Sequence, residues 1–306
     1  MLRIGLALPG YDSDSSAPTT LARLAEYAMQ AEQLGYDSVW LADHFWVERE
    51  HGRREAGHDP LVALAYIAAR VPHIQLGTLV VCNSFRHAAQ LAREAAAVAD
   101  ASGGRFILGV GAGWHEPEYS AFGLPFTEKV GRLAETLEAL PGLLRGERVT
   151  LSGRHLQLRD ANLMISAPPP PLWIAAGGPR MLQLTARYAD GWNAAWFGAD
   201  PYPFRQRVEE LWKAMDANGR PRDAIEISAG LFVVPGRRDN RVSAVAICGE
   251  VDEIAAGIRA YERAGAHHVV LSLATVPFRL QEPSFIELVA RSFSRSDEEE
   301  KRPGNL

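Results

Sequence analysis

Short strand-like runs alternate with longer helical stretches eight times along the chain, and this alternation limits the fold more than any other feature. Each apolar run is followed by a segment whose apolar residues recur at helical spacing. The predicted strands are Arg3–Leu8, Asp37–Ala42, Ile74–Val81, Phe106–Val110, Leu172–Ala176, Gly191–Ala195, Ile225–Val234 and His267–Leu273. The predicted helices are Thr19–Leu34, Asp59–Arg70, Ala88–Ala101, Lys129–Arg145, Pro179–Ala189, Pro203–Ala217, Asp252–Ala264 and Ser284–Phe293. Such alternation implies parallel strands with crossover helices, and eight units favour an α/β fold that closes as a (β/α)8 TIM barrel.

The rhythm is interrupted once, after the fourth predicted helix. Residues 146–157 are typical of a small hairpin with a turn at Ser152-Gly153, and a run of prolines, 168–171, follows it. Because the alternation resumes at the fifth strand, residues 146–171 are predicted to be a small insertion within one domain, residues 1–295. The charged segment 296–306 is predicted to be a disordered tail.

Composition narrows the class of protein. The chain has 306 residues, of which 47% are apolar, and a formal charge of −5. It contains no long basic run and no long unbroken apolar run, which argues against nucleic-acid and membrane partners. The N-terminus leads directly into a strand without the layout of a signal peptide, and two cysteines are too few for a disulfide framework. These features favour a cytoplasmic protein with a small-molecule substrate.

Residues that follow the strands are the candidates for function, because active sites of parallel barrels lie at the carboxyl ends of the strands. Asp43 and His44 follow the second strand. An adjacent carboxylate and imidazole suit acid–base chemistry, and a histidine in a surface loop is the alternative. Cys82 follows the third strand, where it either faces a ligand or belongs to an ordinary turn.

The segment after the fourth strand carries glycine at alternate positions, Gly109, Gly111 and Gly113, with Ala112 between the last two. Glycine lets a backbone approach a ligand closely. The spacing differs from the dinucleotide fingerprint, because the last glycine of that fingerprint would have to stand where this chain has Trp114. The run therefore indicates a ligand contact but not a Rossmann site.

The segment after the fifth strand, Ala176-Gly177-Gly178-Pro179, opens a helix. Free backbone N–H groups and the helix dipole suit a phosphate there, and Pro179 fits a first helical turn. A plain turn between strand and helix is the alternative, but two consecutive glycines favour the anion site.

Metal and hydrolase sites have little support. His44, His51 and His58 recur every seven residues, but Gly52 and Gly57 interrupt the segment, so a shared helix face and a metal site are not expected. The chain has no Gly-x-Ser-x-Gly elbow to carry the nucleophile of a hydrolase triad.

Four segments, taken in order, resemble the bacterial luciferase-like family of flavin and deazaflavin oxidoreductases. They are residues 35–44, residues 76–80 with Arg86-His87, residues 102–114, and residues 171–178 with 189–192. The resemblance extends from residue 1 to about residue 270. It implies the barrel fold, a homodimer, and coenzyme F420 or FMN as a cofactor whose ring lies over the carboxyl ends of the strands.

The resemblance also implies roles for single residues. A non-prolyl cis peptide, Leu79–Val80, is expected behind the ring, and Asp43 and His44 match the family's cofactor-contacting and proton-handling pair. The phosphate is expected near residues 111–113 and 176–179. The predicted catalytic residue is therefore His44, and the predicted cofactor-binding residues are Asp43, Leu79, Val80, Cys82, Gly111, Ala112, Gly113, Ala175, Ala176, Gly177, Gly178 and Pro179.

Within the family, the Gly-Ala-Gly-Trp run is typical of deazaflavin-dependent members, which favours F420-dependent hydride transfer to or from a small organic substrate. Members that oxidise sugar phosphates have Glu where this chain has Trp114, and this departure counts against that substrate. An FMN-dependent monooxygenase is the alternative within the family. Outside it, a lyase or isomerase that uses His44 and binds phosphate at Gly177-Gly178 would take no flavin, and a binding protein without catalysis is a third reading.

Overall fold

Eight parallel strands close into a barrel in the computed structural model, which describes residues 1–11, 19–48, 52, 54–165, 167–236 and 240–299. The strands are β1 (Arg3–Ala7), β2 (Ser38–Leu41), β3 (Gln75–Thr78), β4 (Phe106–Gly111), β5 (Leu172–Ala175), β6 (Gly191–Phe197), β7 (Glu226–Pro235) and β8 (His268–Ser272). Each strand pairs with the next in chain order. Pairing of β8 with β1 closes the ring and confirms the predicted (β/α)8 barrel.

Helices follow the strands and cover the outside of the barrel with apolar faces rich in alanine and leucine. They are α1 (Leu21–Gln33), α2 (Pro60–Ala68), α3 (Ala88–Ala101), α4 (Glu116–Ala121), α5 (Lys129–Leu144), α6 (Pro179–Tyr188), α7 (Tyr202–Ala217), α8 (Asn240–Ser243), α9 (Val251–Arg263) and α10 (Phe285–Glu299). Among the described helices, none combines the length and the hydropathy that crossing a bilayer requires.

Local signals account for several helix starts. Thr20 caps α1, where its hydroxyl accepts a hydrogen bond from the Arg23 N–H at 3.3 Å. Asp59 caps α2 by accepting from the N–H groups of Leu61 and Val62, and Pro60 occupies the first helical position. These are the starts that the sequence predicts.

The third predicted strand shows the largest difference from expectation. The strand β3 ends at Thr78, and the Leu79–Val80 peptide is cis, as the family resemblance implies. Pairing with β4 resumes only at Val81–Cys82. A second non-prolyl cis peptide, Ala195–Trp196, lies in β6 and is not predicted.

Short elements outside the barrel add detail that the repeat pattern does not contain. Val149–Ser152 and Gln157–Ala161 form the antiparallel hairpin after α5, and its second arm extends past the predicted end. Trp46–Glu48 and Arg54–Ala56 form a second antiparallel pair. Residues 296–299 continue α10 instead of starting the expected disordered tail, and residues 300–306 of that prediction lie outside the described residues.

A polar layer crosses the interior of the barrel. His268 is fully buried, and its ring nitrogens lie 2.8 Å from the Ser38 hydroxyl and 3.0 Å from the Ser228 hydroxyl. The indole rings of Trp40 and Trp173 pack against it at centroid distances of 5.5 and 5.6 Å. This layer fills the barrel, so a ligand can enter only above it, at the strand ends.

Candidate active site

A cavity of about 660 Å³ lies at the carboxyl ends of the barrel strands. Its volume is within the range of small-molecule sites, and its position is where sites of parallel barrels form. The walls come from segments after β1, β2, β3, β4, β5 and β8 and from β6 itself. All the predicted site residues line this cavity except Gly178 and Pro179, which lie at the exposed start of α6. Their individual roles stay predictions.

His44 is held at the cavity by a carboxylate from a distant part of the chain. Its Nδ1 lies 2.7 Å from Oε2 of Glu118, whose side chain is 1% exposed. The second carboxylate oxygen accepts a hydrogen bond from the Trp46 N–H at 3.2 Å. Because the carboxylate accepts the Nδ1 proton, Nε2 of a neutral His44 is left as a basic atom. The site can therefore take up a proton at Nε2.

A second imidazole shares the same carboxylate. His115 Nδ1 lies 3.2 Å from Glu118 Oε2, and the rings of His44 and His115 are 6.0 Å apart. The ligand atoms of these three side chains all lie within 4.8 Å of one another, so the group could also hold a metal ion. The sequence analysis predicts no metal site and does not identify this group. Hydrogen bonds from both Nδ1 atoms to Glu118 account for the observed distances.

Asp43 has partners of its own, and they are different from those of His44. Its carboxylate accepts from Arg86 Nη1 at 2.5 Å and Nη2 at 3.3 Å, and from the Cys82 N–H at 2.9 Å. Arg86 also pairs with Asp59 and with Glu94. Burial raises the pKa of the Asp43 carboxyl, and Arg86 and the Cys82 N–H oppose that rise. The carboxylate that contacts His44 is thus Glu118, whereas the Asp43 carboxylate binds Arg86.

The glycines at the end of β4 and just after it, Gly111 and Gly113, are required by packing within the protein. A Cβ at Gly111 would lie 2.7 Å from Val80 Cγ2, and a Cβ at Gly113 would lie 2.0 Å from the Tyr119 hydroxyl. Gly113 also has a φ of +79°, which side chains rarely adopt. Both glycines line the cavity, but their lack of a side chain makes room for Val80 and Tyr119 rather than for a ligand.

The start of α6 lies open at the edge of the cavity, where Gly177 is a lining residue. Gly178 is the N-cap, and nothing lies within 4 Å of a Cβ at Gly177 or Gly178. The first backbone N–H groups of a helix lack intrahelical acceptors, and the dipole favours an anion there. Lys129 lines the cavity, and the side chains of His155 and Arg180 come within 3.5 and 3.6 Å of the Cβ position of Gly131, in the first turn of α5. These groups can hold a phosphate.

Cys82 faces the cavity as a thiol. Its Sγ lies 3.1 Å from the Tyr119 hydroxyl, which donates to the Ala112 carbonyl at 2.8 Å. Burial raises the pKa of Cys82 to about 11. The group is therefore protonated at neutral pH and is a poor nucleophile.

Sequence reasoning misses Glu118 and His115. Both belong to the start of α4, a six-residue helix that is too short for a periodic pattern. The available signal is a histidine and a glutamate three residues apart, directly after the glycine-rich strand end. Trp196 and Phe278, which also line the cavity, carry no local signal of their own.

The fold and the cavity together define a (β/α)8 barrel with a small-molecule site at the carboxyl ends of its strands. Residues 2–244 match the family model described as luciferase-like monooxygenase. The chain belongs to this luciferase-like monooxygenase family.

Two similar curated proteins are named as a dehydrogenase and a reductase. The chain is 35% identical over 212 residues to an F420-dependent glucose-6-phosphate dehydrogenase from Kineococcus radiotolerans. The aligned region covers 67% of this chain and 61% of that protein. It is 30% identical over 209 residues to a 5,10-methylenetetrahydromethanopterin reductase from Methanolobus tindarius. That aligned region covers 68% of this chain and 60% of the reductase. The matches thus span about three fifths of the length of these relatives.

Solved structures of similar fold include a reductase and a monooxygenase. A coenzyme F420-dependent tetrahydromethanopterin reductase from Methanopyrus kandleri has a TM-score of 0.77 at 20% identity, with 95% of this chain and 98% of that chain covered. An EDTA monooxygenase from Chelativorans has a TM-score of 0.79 at 18% identity, with 96% and 94% covered. At these identities the likeness shows the fold alone.

Proposed function

We propose that this protein is an oxidoreductase that uses coenzyme F420 to transfer a hydride to or from a small organic substrate. The observation that carries the proposal is the layout of the cavity. The helix start at Gly178, where we place an anion, lies at one end, and His44, whose Nδ1 is hydrogen-bonded to Glu118, lies at the other. The name of the Kineococcus relative, an F420-dependent dehydrogenase, supports the choice of cofactor.

The residues present fit such a cofactor. Leu79, Val80, Ala175 and Ala195 give the cavity apolar walls on which a planar ring can lie. Gly177 and Gly178 leave the space that a phosphate requires, with Lys129 at the cavity wall. A cavity of about 660 Å³ accommodates a ring of this kind together with a small substrate.

Coenzyme F420, when bound, supplies or accepts the hydride. Transfer to a carbonyl leaves an oxygen that needs a proton, and the reverse reaction removes one. His44 holds or takes up that proton at Nε2, and Glu118 keeps the ring oriented and stabilises its cationic form. The ring of Trp114 lies 5.5 Å from that of His44 and lines the same cavity.

The substrate is not expected to be a sugar phosphate. Among the described residues that line the cavity, Lys129 is the one lysine or arginine, and the proposal assigns it to the cofactor end. Trp114 occupies the position where sugar-phosphate oxidisers of the family have Glu. A neutral organic alcohol or carbonyl compound fits the remaining walls better.

The decisive experiment is a pair of equilibrium titrations of the purified apoprotein with coenzyme F420 and with FMN. We expect tighter binding of coenzyme F420. Tenfold tighter binding of FMN, about 1.4 kcal/mol, would instead favour an FMN-dependent monooxygenase. That second candidate is supported by the description of the family as luciferase-like monooxygenase.

A variant at the start of α6 tests the anion site in the same titration. Gly178→Val places a branched side chain where the phosphate is proposed to lie, and the fold has room for it. We expect at least about tenfold weaker cofactor binding, with Gly178→Ala in between. Unchanged affinity in folded Gly178→Val would contradict the placement.

We further propose a cytoplasmic homodimer. The chain has two cysteines, too few for a disulfide framework, which suits a reducing compartment. The family resemblance supports the dimer. Light scattering at micromolar concentration that finds only a 33.5 kDa species would rule out the dimer.

A further inference from the structure

An asparagine inside the cavity has an amide group without a partner. Asn193 lies in β6 and is 3% exposed, and its Nδ2 is buried with no hydrogen-bond acceptor. Asn193 lines the cavity between Ala175 of β5 and Ala195 of its own strand. A buried amide donor without an acceptor destabilises the ligand-free fold.

The neighbouring strand β7 carries a polar side chain, Ser228, that is level with Asn193 in the barrel and has a hydrogen-bond partner. Asn193 is in register with Ser228 of β7, so both side chains point into the barrel. The Ser228 hydroxyl lies 3.0 Å from the His268 ring. Ser228 thus has a protein partner, whereas the Asn193 amide nitrogen has none, although Asn193 lines the cavity.

The position in the cavity separates Asn193 from other unpartnered groups. Buried polar atoms without hydrogen-bond partners also occur, among the described residues, on His58, Asn83, Ser84, Arg132 and Arg279. Only Asn193 among these lines the large cavity. Among the described residues, Asn193 is therefore the one that both lines this cavity and holds a buried side-chain donor without a partner.

We propose that Asn193 is a cofactor-binding residue whose side-chain amide hydrogen-bonds to the polar edge of the bound ring. This inference rests on the proposed function. The ring of a deazaflavin or a flavin carries carbonyl oxygens and a ring nitrogen on one edge, which are acceptors for an amide N–H. The location supports the cofactor over the substrate, because Ala175, in register with Asn193, leads directly into the proposed phosphate-binding turn. His44, at the end of β2, lies on the opposite side of the barrel.

Two substitutions at Asn193 and one at Ser228 test this role. Asn193→Leu keeps the size and removes the orphaned donor, so the apoprotein should melt at the wild-type temperature or above it. Its dissociation constant for coenzyme F420 should rise about tenfold. Asn193→Asp should bind more weakly still, because a carboxylate repels an acceptor. Ser228→Ala, which removes a partnered group, should melt lower and keep its affinity within about twofold.

The outcomes separate this inference from the proposed function. Wild-type protein that binds neither coenzyme F420 nor FMN would overturn both. Wild-type protein that binds, with Asn193→Leu binding equally well, would overturn the inference alone. A clear loss of melting temperature in the Asn193→Leu apoprotein would show that the amide has a structural partner, and would also overturn it.

Discussion

Two histidines inside this barrel differ in how their ring nitrogens are used. Both ring nitrogens of His268 bind serine hydroxyls, and the ring is fully buried between Trp40 and Trp173. His44 has one nitrogen bound by Glu118, and its side chain is 16% exposed at the cavity. The first histidine has no atom left for chemistry, whereas the second has one.

The electrostatic surroundings differ in the same sense. Burial lowers the pKa of His268 to about 3, so this ring stays neutral in the folded protein at ordinary pH. His44 faces a buried carboxylate that it shares with His115. A histidine with one ring nitrogen bound to a carboxylate and the other unbound is suited to gain and lose a proton. A histidine with both ring nitrogens hydrogen-bonded is suited to hold strands together.

Replacement of His44 should give the largest effect. His44→Ala removes the proposed proton carrier, and we expect kcat to fall by about 10²–10⁴-fold. Cofactor affinity should stay within a few-fold, because the phosphate contacts lie at α6. Steady-state kinetics and an F420 titration check both quantities. Lost affinity with near-normal turnover would mean that His44 only packs against the ring.

Loss of the Glu118 charge should have the next largest effect. Glu118→Gln keeps the size but weakens the hold on Nδ1 and leaves a cationic ring without its counter-charge. We expect kcat to fall roughly 10–100-fold, by analogy with groups that orient a functional histidine. Glu116→Gln, a neighbour in α4, serves as the control. Equal effects of the two substitutions would remove the distinction between the carboxylates.

Replacement of His268 should change stability and leave catalysis alone. His268→Gln disturbs the bonds to Ser38 and Ser228, and we expect a loss of about 1–3 kcal/mol in the free energy of unfolding at pH 7. Denaturant titration measures that loss. Turnover should stay within about twofold of wild type at saturating ligand. A large fall in kcat would show that the two histidines are not separate in function.

The pH dependence of stability sharpens the same contrast. The folded pKa of His268, about 3, lies below the ordinary 6.5, so the folded state binds fewer protons than the unfolded state between these values. The His268 contribution is therefore present above about pH 6.5 and is lost as the pH falls toward 3. Unfolding measured from pH 7.5 to pH 4 should show this slope in wild type and a weaker slope in His268→Gln.

The smallest effect is expected at His115. His115→Asn leaves the Glu118 carboxylate bound to His44, and we expect kcat to fall only a few-fold. Kinetics in parallel with His44→Ala would check this. An effect as large as that of His44→Ala would assign the proton role to the pair of rings and not to His44 alone.

The sequence by itself determined the barrel and the location of its site. Eight strand–helix units are visible because apolar spacing is a local property, and Asp59 and Thr20 mark helix starts through contacts within three residues. The parallel barrel then directs the functional residues to the strand ends. Residues His44, Cys82 and Gly177 could be selected on that basis alone.

Only the tertiary structure decided which groups meet at that site. Glu118 contacts His44, which is 74 residues away in the chain, and Arg86 binds Asp43, which is 43 residues away. The packing of Val80 and Tyr119 explains the glycines after β4, and the missing partner of Asn193 appears only when all strands are assembled. Contacts between distant residues depend on the register of the closed barrel, and spacing along the chain does not contain that information.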